Sequence, residues 1–302
     1  MDAAVSTNTL VNIYDPKVIT DREREAKMTV EELDAAFGPL CDVVRRLRST
    51  PIIPQKSDEW LKMREDILTA SDVASAIGQN KYKSKKQLFQ EKIGQGGTFQ
   101  GSIATRWGQH LEDYAALEYE MRSGCKLTSH GLVIHDTFKW LGGSVDGIVA
   151  TTPRGVEIKC PYSDRPIDTV PEHYIPQVQV LMDVLDIEVF DFVQFKPPVP
   201  PLTEMYTQIA IRRDREWFKA HVPLMRKFMD DVYMYKSMND PTLTVPTEYK
   251  ITPRVFKTRP KVDPVDNEED HINEWKSHDG TATVKKLKVS LDLRHYYANE
   301  NH

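Results

Sequence analysis

Leu33, Ala36, Phe37, Leu40, Val43, Val44 and Leu47 recur at intervals of three and four, the period of one helix face. They follow Thr29 and Glu32, which have the spacing of a capping box. Gly38-Pro39 interrupts the run and predicts a kink or break there. Residues 1–28 are polar and without period, so they read as irregular. A short helix is expected over 57–64, capped by Ser57 or Asp58, and a second one begins with Ser71 as its cap. Gly94 to Gly101 is a glycine-rich loop. Ile103, Trp107, Leu111, Tyr114, Ala115 and Glu118 then mark a long helix from Ile103 to Arg122, stopped by Ser123-Gly124.

Segments 131–135, 139–149 and 155–160 read as strands. A helix over 172–185 carries Tyr174, Val178, Leu181, Met182 and Leu185 on one side, with Pro176 in its first turn. Strands 188–196 and 204–212 flank the Pro197 to Pro201 run, and a final helix spans 214–237. Beyond Asn239 the pattern dissolves. Asp263 to Asp279 is too polar to build a core, while Thr281 to Leu293 is strand-like. The order α-β-β-β-α-β-β-α predicts an α/β (α+β) fold with a mixed central sheet flanked by helices. Three parts follow: an N-terminal helical extension, 1–56, closing on Pro51-Ile52-Ile53-Pro54; a domain, 57–238; and a polar C-terminal tail, 239–302, partly irregular.

The 302 residues, 40% hydrophobic and 28% charged, are those of an ordinary globular protein. No run is long and apolar enough to span a bilayer, and no signal peptide is visible, so an intracellular, non-membrane protein is expected. Cys41, Cys125 and Cys160 are dispersed and odd in number, which supports neither a disulfide framework nor a zinc knuckle. A net charge of −5 argues against nonspecific coating of nucleic acid. It leaves room for an enzyme that focuses positive potential into one groove. Lys81, Lys83, Lys85 and Lys86 crowd one stretch, either as a solvated loop or as a track for a duplex.

The candidate chemistry lies in Gly142-Gly143-Ser144-Val145-Asp146-Gly147 and Gly155-Val156-Glu157-Ile158-Lys159-Cys160. Strand alternation puts Glu157 and Lys159 on one face and turns Ile158 into the core. Two carboxylates and an ammonium then converge, an oxygen-rich arrangement suited to Mg²⁺ or Mn²⁺. A hairpin bearing a solvated Glu-x-Lys pair is the alternative from this string alone.

Five blocks in fixed order carry a resemblance. They are Glu59-Trp60-Leu61-Lys62-Met63-Arg64 with Leu68-Thr69-Ala70-Ser71; Arg106-Trp107-Gly108-Gln109-His110-Leu111-Glu112; Gly143-Ser144-Val145-Asp146-Gly147; Glu157-Ile158-Lys159-Cys160-Pro161; and Tyr174-Ile175-Pro176-Gln177-Val178-Gln179. Over residues 57–235 the chain resembles the YqaJ-like viral recombinase family, typified by phage lambda exonuclease, within the PD-(D/E)XK nuclease superfamily. Val145 stands where the superfamily name expects proline. The N-terminal part and the tail lie outside the resemblance.

The resemblance implies a restriction-endonuclease-like fold and a Mg²⁺-dependent nuclease acting 5′ to 3′ on linear duplex DNA, with Mn²⁺ able to substitute. The implied product is the 5′-mononucleotide, and the setting is viral or phage recombination, repair or replication in an infected host cell, in cytoplasm or nucleus. Asp146 and Glu157 would be metal ligands with the backbone carbonyl of Ile158, and Glu112 would join at a second metal or through water. Lys159 would stabilise the attacking hydroxide and the charge on phosphorus; Gln177, preferred over Gln179, would hold the nucleophilic water. Arg64, Ser71, Ser144 and Arg165 would grip a 5′-terminal phosphate. Double-stranded DNA is the implied partner, and a single-strand annealing protein and a homo-oligomer are consistent with it. The alternatives are an endonuclease or structure-specific nuclease on the same fold, or a catalytically silent DNA-binding protein. A four-cysteine iron–sulfur nuclease does not fit three dispersed cysteines.

Overall fold

A computed structural model of the chain describes residues 11–12, 16–49, 52–53, 57–96, 102–162, 168–197, 205–238, 240, 245–246, 249 and 289–290. Strand β1 (Val11–Asn12) precedes helices α1 (Pro16–Ala26), α2 (Val30–Phe37) and α3 (Asp42–Arg48). Helix α4 (Asp58–Glu65) leads through β2 (Leu68–Thr69) into α5 (Ala70–Ala76), then α6 (Lys85–Lys92) and the long α7 (Ile103–Ser123). Strands β3 (Leu127–Thr128), β4 (Leu132–Ile134), β5 (Leu141–Ser144), β6 (Gly147–Val149) and β7 (Arg154–Lys159) follow. A 3-10 turn (Glu172–Tyr174) runs into α8 (Ile175–Leu185), and β8 (Val189–Lys196), β9 (Met205–Arg212), α9 (Arg215–Met238) and β10 (Val289–Ser290) complete the order.

Local chemistry sets most of these ends. Thr29 and Glu32 form the expected capping box at the start of α2, and the chain breaks at Gly38, whose φ is +87°. Ser57 caps α4 by accepting from the Trp60 N–H. Gly124, left-handed at φ +72°, ends α7 and returns its N–H to the Glu120 carbonyl. Three expectations are corrected. The segment read as irregular contains α1, a polar helix with no apolar stripe to announce it. It is held instead by a buried ion pair between Glu25 and Arg48, whose guanidinium also meets the Ala26 carbonyl at 2.9 Å. Helix α5 starts one residue before Ser71, with Thr69 as its N-cap. Lys85 and Lys86 open α6 behind a Ser84–Gln87 capping box, so half of the lysine cluster is helical.

The strand expected over 139–149 is two strands. β5 lies in a three-stranded sheet of order β2-β5-β4, and β6 in a five-stranded sheet of order β3-β6-β7-β8-β9. The chain changes sheet at Val145-Asp146. β2 runs parallel to β5, with Leu68 opposite Leu141 and Thr69 opposite Gly142. β7 and β8 are parallel, joined by the α8 crossover, whereas β8 and β9 are antiparallel. Within the tail, Val289–Ser290 pairs in parallel with Val11–Asn12; the rest of 281–293 lies outside the described residues, as does 97–101.

Alternation along β8 divides the core. Phe190 and Phe192 join Leu68, Val73, Leu141, Val178, Leu181 and Phe228 on one side. Val193 and Phe195 join Val156, Ile158, Trp107, Leu111 and Tyr119 on the other. Each such side chain contributes about 1.5–3 kcal/mol when fully buried. Helix α7 is thereby fixed on one face of the sheet and α8 on the other, with β7 between them. Among the described residues no helix is long and apolar enough to cross a membrane.

At Gly143 a Cβ would stand 2.9 Å from the Ala70 Cβ and 2.7 Å from Leu181 Cδ2, so only glycine lets α5 and α8 close onto β5. Gly143→Ala is expected to lower stability by about 1–3 kcal/mol, read as a shift of the urea unfolding midpoint at unchanged slope.

Candidate active site

Asp146 occupies the break between β5 and β6, where the backbone turns from one sheet to the next. Its Oδ2 accepts the main-chain N–H of Ile158 at 2.7 Å, which fastens this residue to the neighbouring strand β7. One residue before Ile158, Glu157 is buried at 1% exposure. Its Oε1 accepts from Lys159 Nζ and from Gln177 Nε2, both at 2.5 Å. Its Oε2 is buried with no hydrogen-bond partner among the described residues. Ile158 turns the other way, into the cluster around Trp107 and Leu111. Strand alternation and the first turns of α8 therefore bring Asp146, Glu157, Lys159 and Gln177 together. Gln179 points elsewhere: it donates to the Arg212 carbonyl and accepts the Asp214 N–H, a helix–sheet tie.

The electrostatics of the group are unbalanced toward negative charge. Burial, then the nearby Asp146 charge, pushes Glu157 up to about 7, although Lys159 and Gln177 pull against it. Burial also raises Asp146, opposed by Lys159 and the Ile158 N–H. Glu112 is pushed up to about 8, first by burial and then by Asp146 and Asp113. Burial works against the Lys159 charge, but Glu157 and Asp146 outweigh it and hold the ammonium protonated. A divalent cation is the natural complement of such a set. Mg²⁺ takes hard oxygen ligands, keeps several waters and needs only one or two carboxylates. The bare Oε2 of Glu157, the carboxylate of Asp146 and the peptide carbonyl of Ile158 meet that requirement. Among the described residues no three His, Cys, Asp or Glu side chains gather closely enough to form a metal cluster by themselves. Glu112 accordingly stands in the adjoining cleft, where it acts on Asp146 through its charge.

A second group lies beside the first. The parallel register of β2 and β5 places Thr69 opposite Gly142, so Ser71 and Ser144 each follow two residues later. The Ser144 Oγ accepts from Trp60 Nε1 at 3.3 Å, and the Arg64 guanidinium lies 4.3 Å from the Trp60 ring centroid. Trp60 is half-buried, a tie between Arg64 and Ser144 rather than a core anchor. Ser71 is exposed, with its Oγ 3.1 Å from Thr69 Oγ1. Arg64, Ser71 and Ser144 are thus neighbours, whereas Arg165 lies outside the described residues. Behind them sits Asp72, which pattern reasoning passed over. It meets Lys83 at 3.3 Å and Lys92 at 3.8 Å, and its charge opposes the effect of burial on Arg64. Lys92, buried, also donates to the Arg64 and Ile67 carbonyls. Asp72, Lys83 and Lys92 are far apart in sequence, so no local spacing marks them. Ser144 and Asp146 are two residues apart, so at most about 7 Å of backbone separates them.

The adjoining cleft, about 720 Å³, is lined by Glu112, Lys159, Lys81, Tyr82, Tyr162 and His173, among others. Tyr82 is 65% exposed and meets His173 edge-on at 5.2 Å. Lys83, in contrast, is tied to Asp72 and Glu91, so the lysine cluster is not one uniform surface. Arg22, from the segment expected to be irregular, also reaches Asp146.

Glu112 binds its proton in the folded chain up to about pH 8, against an ordinary value of 4.5. The native state therefore holds the extra proton in that window, and metal-free stability falls as pH rises through it. Glu112→Gln is expected to gain stability over wild type between pH 5 and pH 8, on the order of 2 kcal/mol. Thermal melting in chelator at both pH values measures this; an equal offset at the two would contradict it.

The family profile for the YqaJ-like viral recombinase domain matches residues 59–188. An uncharacterised protein of Acanthamoeba polyphaga mimivirus is 29% identical over 172 residues, covering 51% of this chain and 31% of that protein. The uncharacterised protein YqaJ of Bacillus subtilis is 31% identical over 137 residues, covering 43% of each. The chain thus spans less than half the length of these relatives. Among solved structures, the alkaline exonuclease LHK-Exo of Laribacter hongkongensis, in complex with dAMP, is similar with a TM-score of 0.52 at 27% identity. That likeness covers 60% of this chain and 95% of the exonuclease. Residues 59–188, which carry both groups of side chains apart from Arg22, are thus similar to the YqaJ-like viral recombinase domain.

Proposed function

We propose that this protein is a Mg²⁺-dependent exonuclease, carried by residues 57–238, that hydrolyses linear double-stranded DNA from its 5′ ends to 5′-mononucleotides. The observation that carries this reading is the Glu157 carboxylate: one oxygen held by Lys159 and Gln177, the other buried and bare beside Asp146. The match to the YqaJ-like viral recombinase profile and the likeness to an alkaline exonuclease support it. Asp146, Glu157 and the Ile158 carbonyl would hold a divalent cation, which would supply a bound water of lowered pKa and neutralise charge on the phosphate.

The side chains do the rest. Gln177 gives its amide N–H to Glu157, which leaves its Oε1 to orient the attacking water. Lys159, held protonated, supplies fixed positive charge where negative charge grows on phosphorus. Water attacks phosphorus, the bond to the 3′ oxygen breaks, and the released nucleotide leaves with its 3′ hydroxyl. The shortened strand then bears a new 5′ phosphate. Arg64, Ser71 and Ser144 bind that phosphate, bidentately in the case of the guanidinium. Because Ser144 ends β5 and Asp146 follows two residues later, at the break before β6, the grip and the cutting centre keep a fixed spacing. One nucleotide per step follows from that spacing, and a 3′ single strand is left for annealing or recombination.

On a linear duplex with 5′ phosphates, wild type is expected to release mononucleotides only with Mg²⁺ or Mn²⁺ present. Asp146→Asn and Lys159→Met should each lower kcat at least about a hundredfold. Arg64→Met should instead abolish the preference for 5′-phosphate over 5′-hydroxyl ends. Cleavage of covalently closed circles at a comparable rate would contradict the exonuclease assignment and favour an endonuclease.

A further inference from the structure

Helix α1 lies outside the segment matched to the family, yet its Arg22 touches both sides of the carboxylate centre. Nε meets Asp113 Oδ1 at 2.9 Å, and Nη2 donates to the main-chain carbonyl of Asp146 at 3.2 Å. Asp113 is the neighbour of Glu112 on α7, so one guanidinium joins that helix to the break between β5 and β6. The Arg22 side chain is only 20% exposed. Three residues on, Glu25 ion-pairs with Arg48 of α3 and accepts the Ser129 N–H at 3.0 Å. Arg48 in turn donates to the Ala26 carbonyl at the end of α1. The helix is therefore anchored away from the site, and Arg22 is delivered in one direction.

Asp146 needs such a hold. It sits where the chain leaves one sheet for another, after Ser144, the last paired residue of β5, and before Gly147, the first of β6. Its carboxylate is pinned by the Ile158 N–H. Rotation of the flanking peptide would still swing the carboxylate away from Glu157, and the Arg22 contact opposes that rotation. A guanidinium suits the task because its planar fork donates in two directions at once, which an ammonium on a flexible stem does less well.

We infer that Arg22 is a positioning residue of the nuclease centre: it fixes the Asp146 main chain and, through Asp113, the turn of α7 that presents Glu112. The N-terminal helix is then a working part of the site and not a separate extension. This rests on the nuclease reading above. The test is Mn²⁺ binding to the full-length chain by isothermal titration calorimetry, beside steady-state kinetics on linear duplex and melting without metal. For Arg22→Met, Mn²⁺ affinity and kcat should each fall about tenfold or more, with KM for DNA within about twofold of wild type. Arg22→Lys should recover part of both, and it decides the question if the methionine variant does not fold. Asp113→Asn, which leaves the Asp146 contact, should fall between wild type and Arg22→Met. If the variants bind Mn²⁺ as tightly as wild type and only melt earlier, Arg22 is a structural prop and the inference is wrong. If wild type binds no Mn²⁺, the nuclease reading fails and the inference with it.

Discussion

Two acids, Asp146 and Glu157, share a buried corner with a single lysine. Such a concentration of like charge is costly in a folded chain, because burial penalises each carboxylate and the Asp146 charge raises Glu157 further. Here the cost is met only in part, by Lys159, Gln177 and the Ile158 N–H. The raised proton affinities of Glu157 and Glu112 are the expression of that shortfall. The rest of the fold exists to keep these groups from drifting apart. α8 delivers Gln177 from one face of the sheet and α7 delivers Glu112 from the other, each locked by a separate apolar cluster.

The change of sheet at Val145-Asp146 is the geometric counterpart of that charge. It points one acid sideways at the neighbouring strand and leaves Ser144 beside Arg64 and Trp60. The proposed phosphate grip and the carboxylate centre thereby share one segment of backbone, and their separation cannot vary without disrupting both sheets. Asp72 performs a similar service in reverse. Its charge meets those of Lys92, Lys83 and Arg64, which lets three cations sit close together.

Much of this was legible in the sequence, for identifiable reasons. Helices with an apolar stripe or a strong stop, such as α7 before Gly124 and α9 with Trp217 and Phe228, announce themselves through period and cap. Glu157, Lys159 and Gln177 were legible because strand alternation and a short helix start fix their directions. The split of 139–149 was not, since the pairing of β5 with β2 and β4, and of β6 with β3 and β7, is decided by distant strands. Helix α1 was missed because its described ties, the Glu25–Arg48 pair and the Arg22 contacts, are polar and tertiary and leave no periodic apolar pattern to read. Helix α6 did carry a readable Ser84–Gln87 cap, which the neighbouring lysines masked. Asp72 with Lys83 and Lys92, and Arg22 with Asp113 and Asp146, are tertiary pairings that no local spacing encodes.

The bare Glu157 oxygen and the Asp146 carboxylate should face one divalent cation. Anomalous diffraction from Mn²⁺-soaked crystals of the chain tests it most directly. A peak about 2.0–2.2 Å from both carboxylates, with water completing an octahedron, is the expected result. Manganese bound elsewhere, with the Glu157 Oε2 still unliganded and no peak beside Asp146, would contradict it.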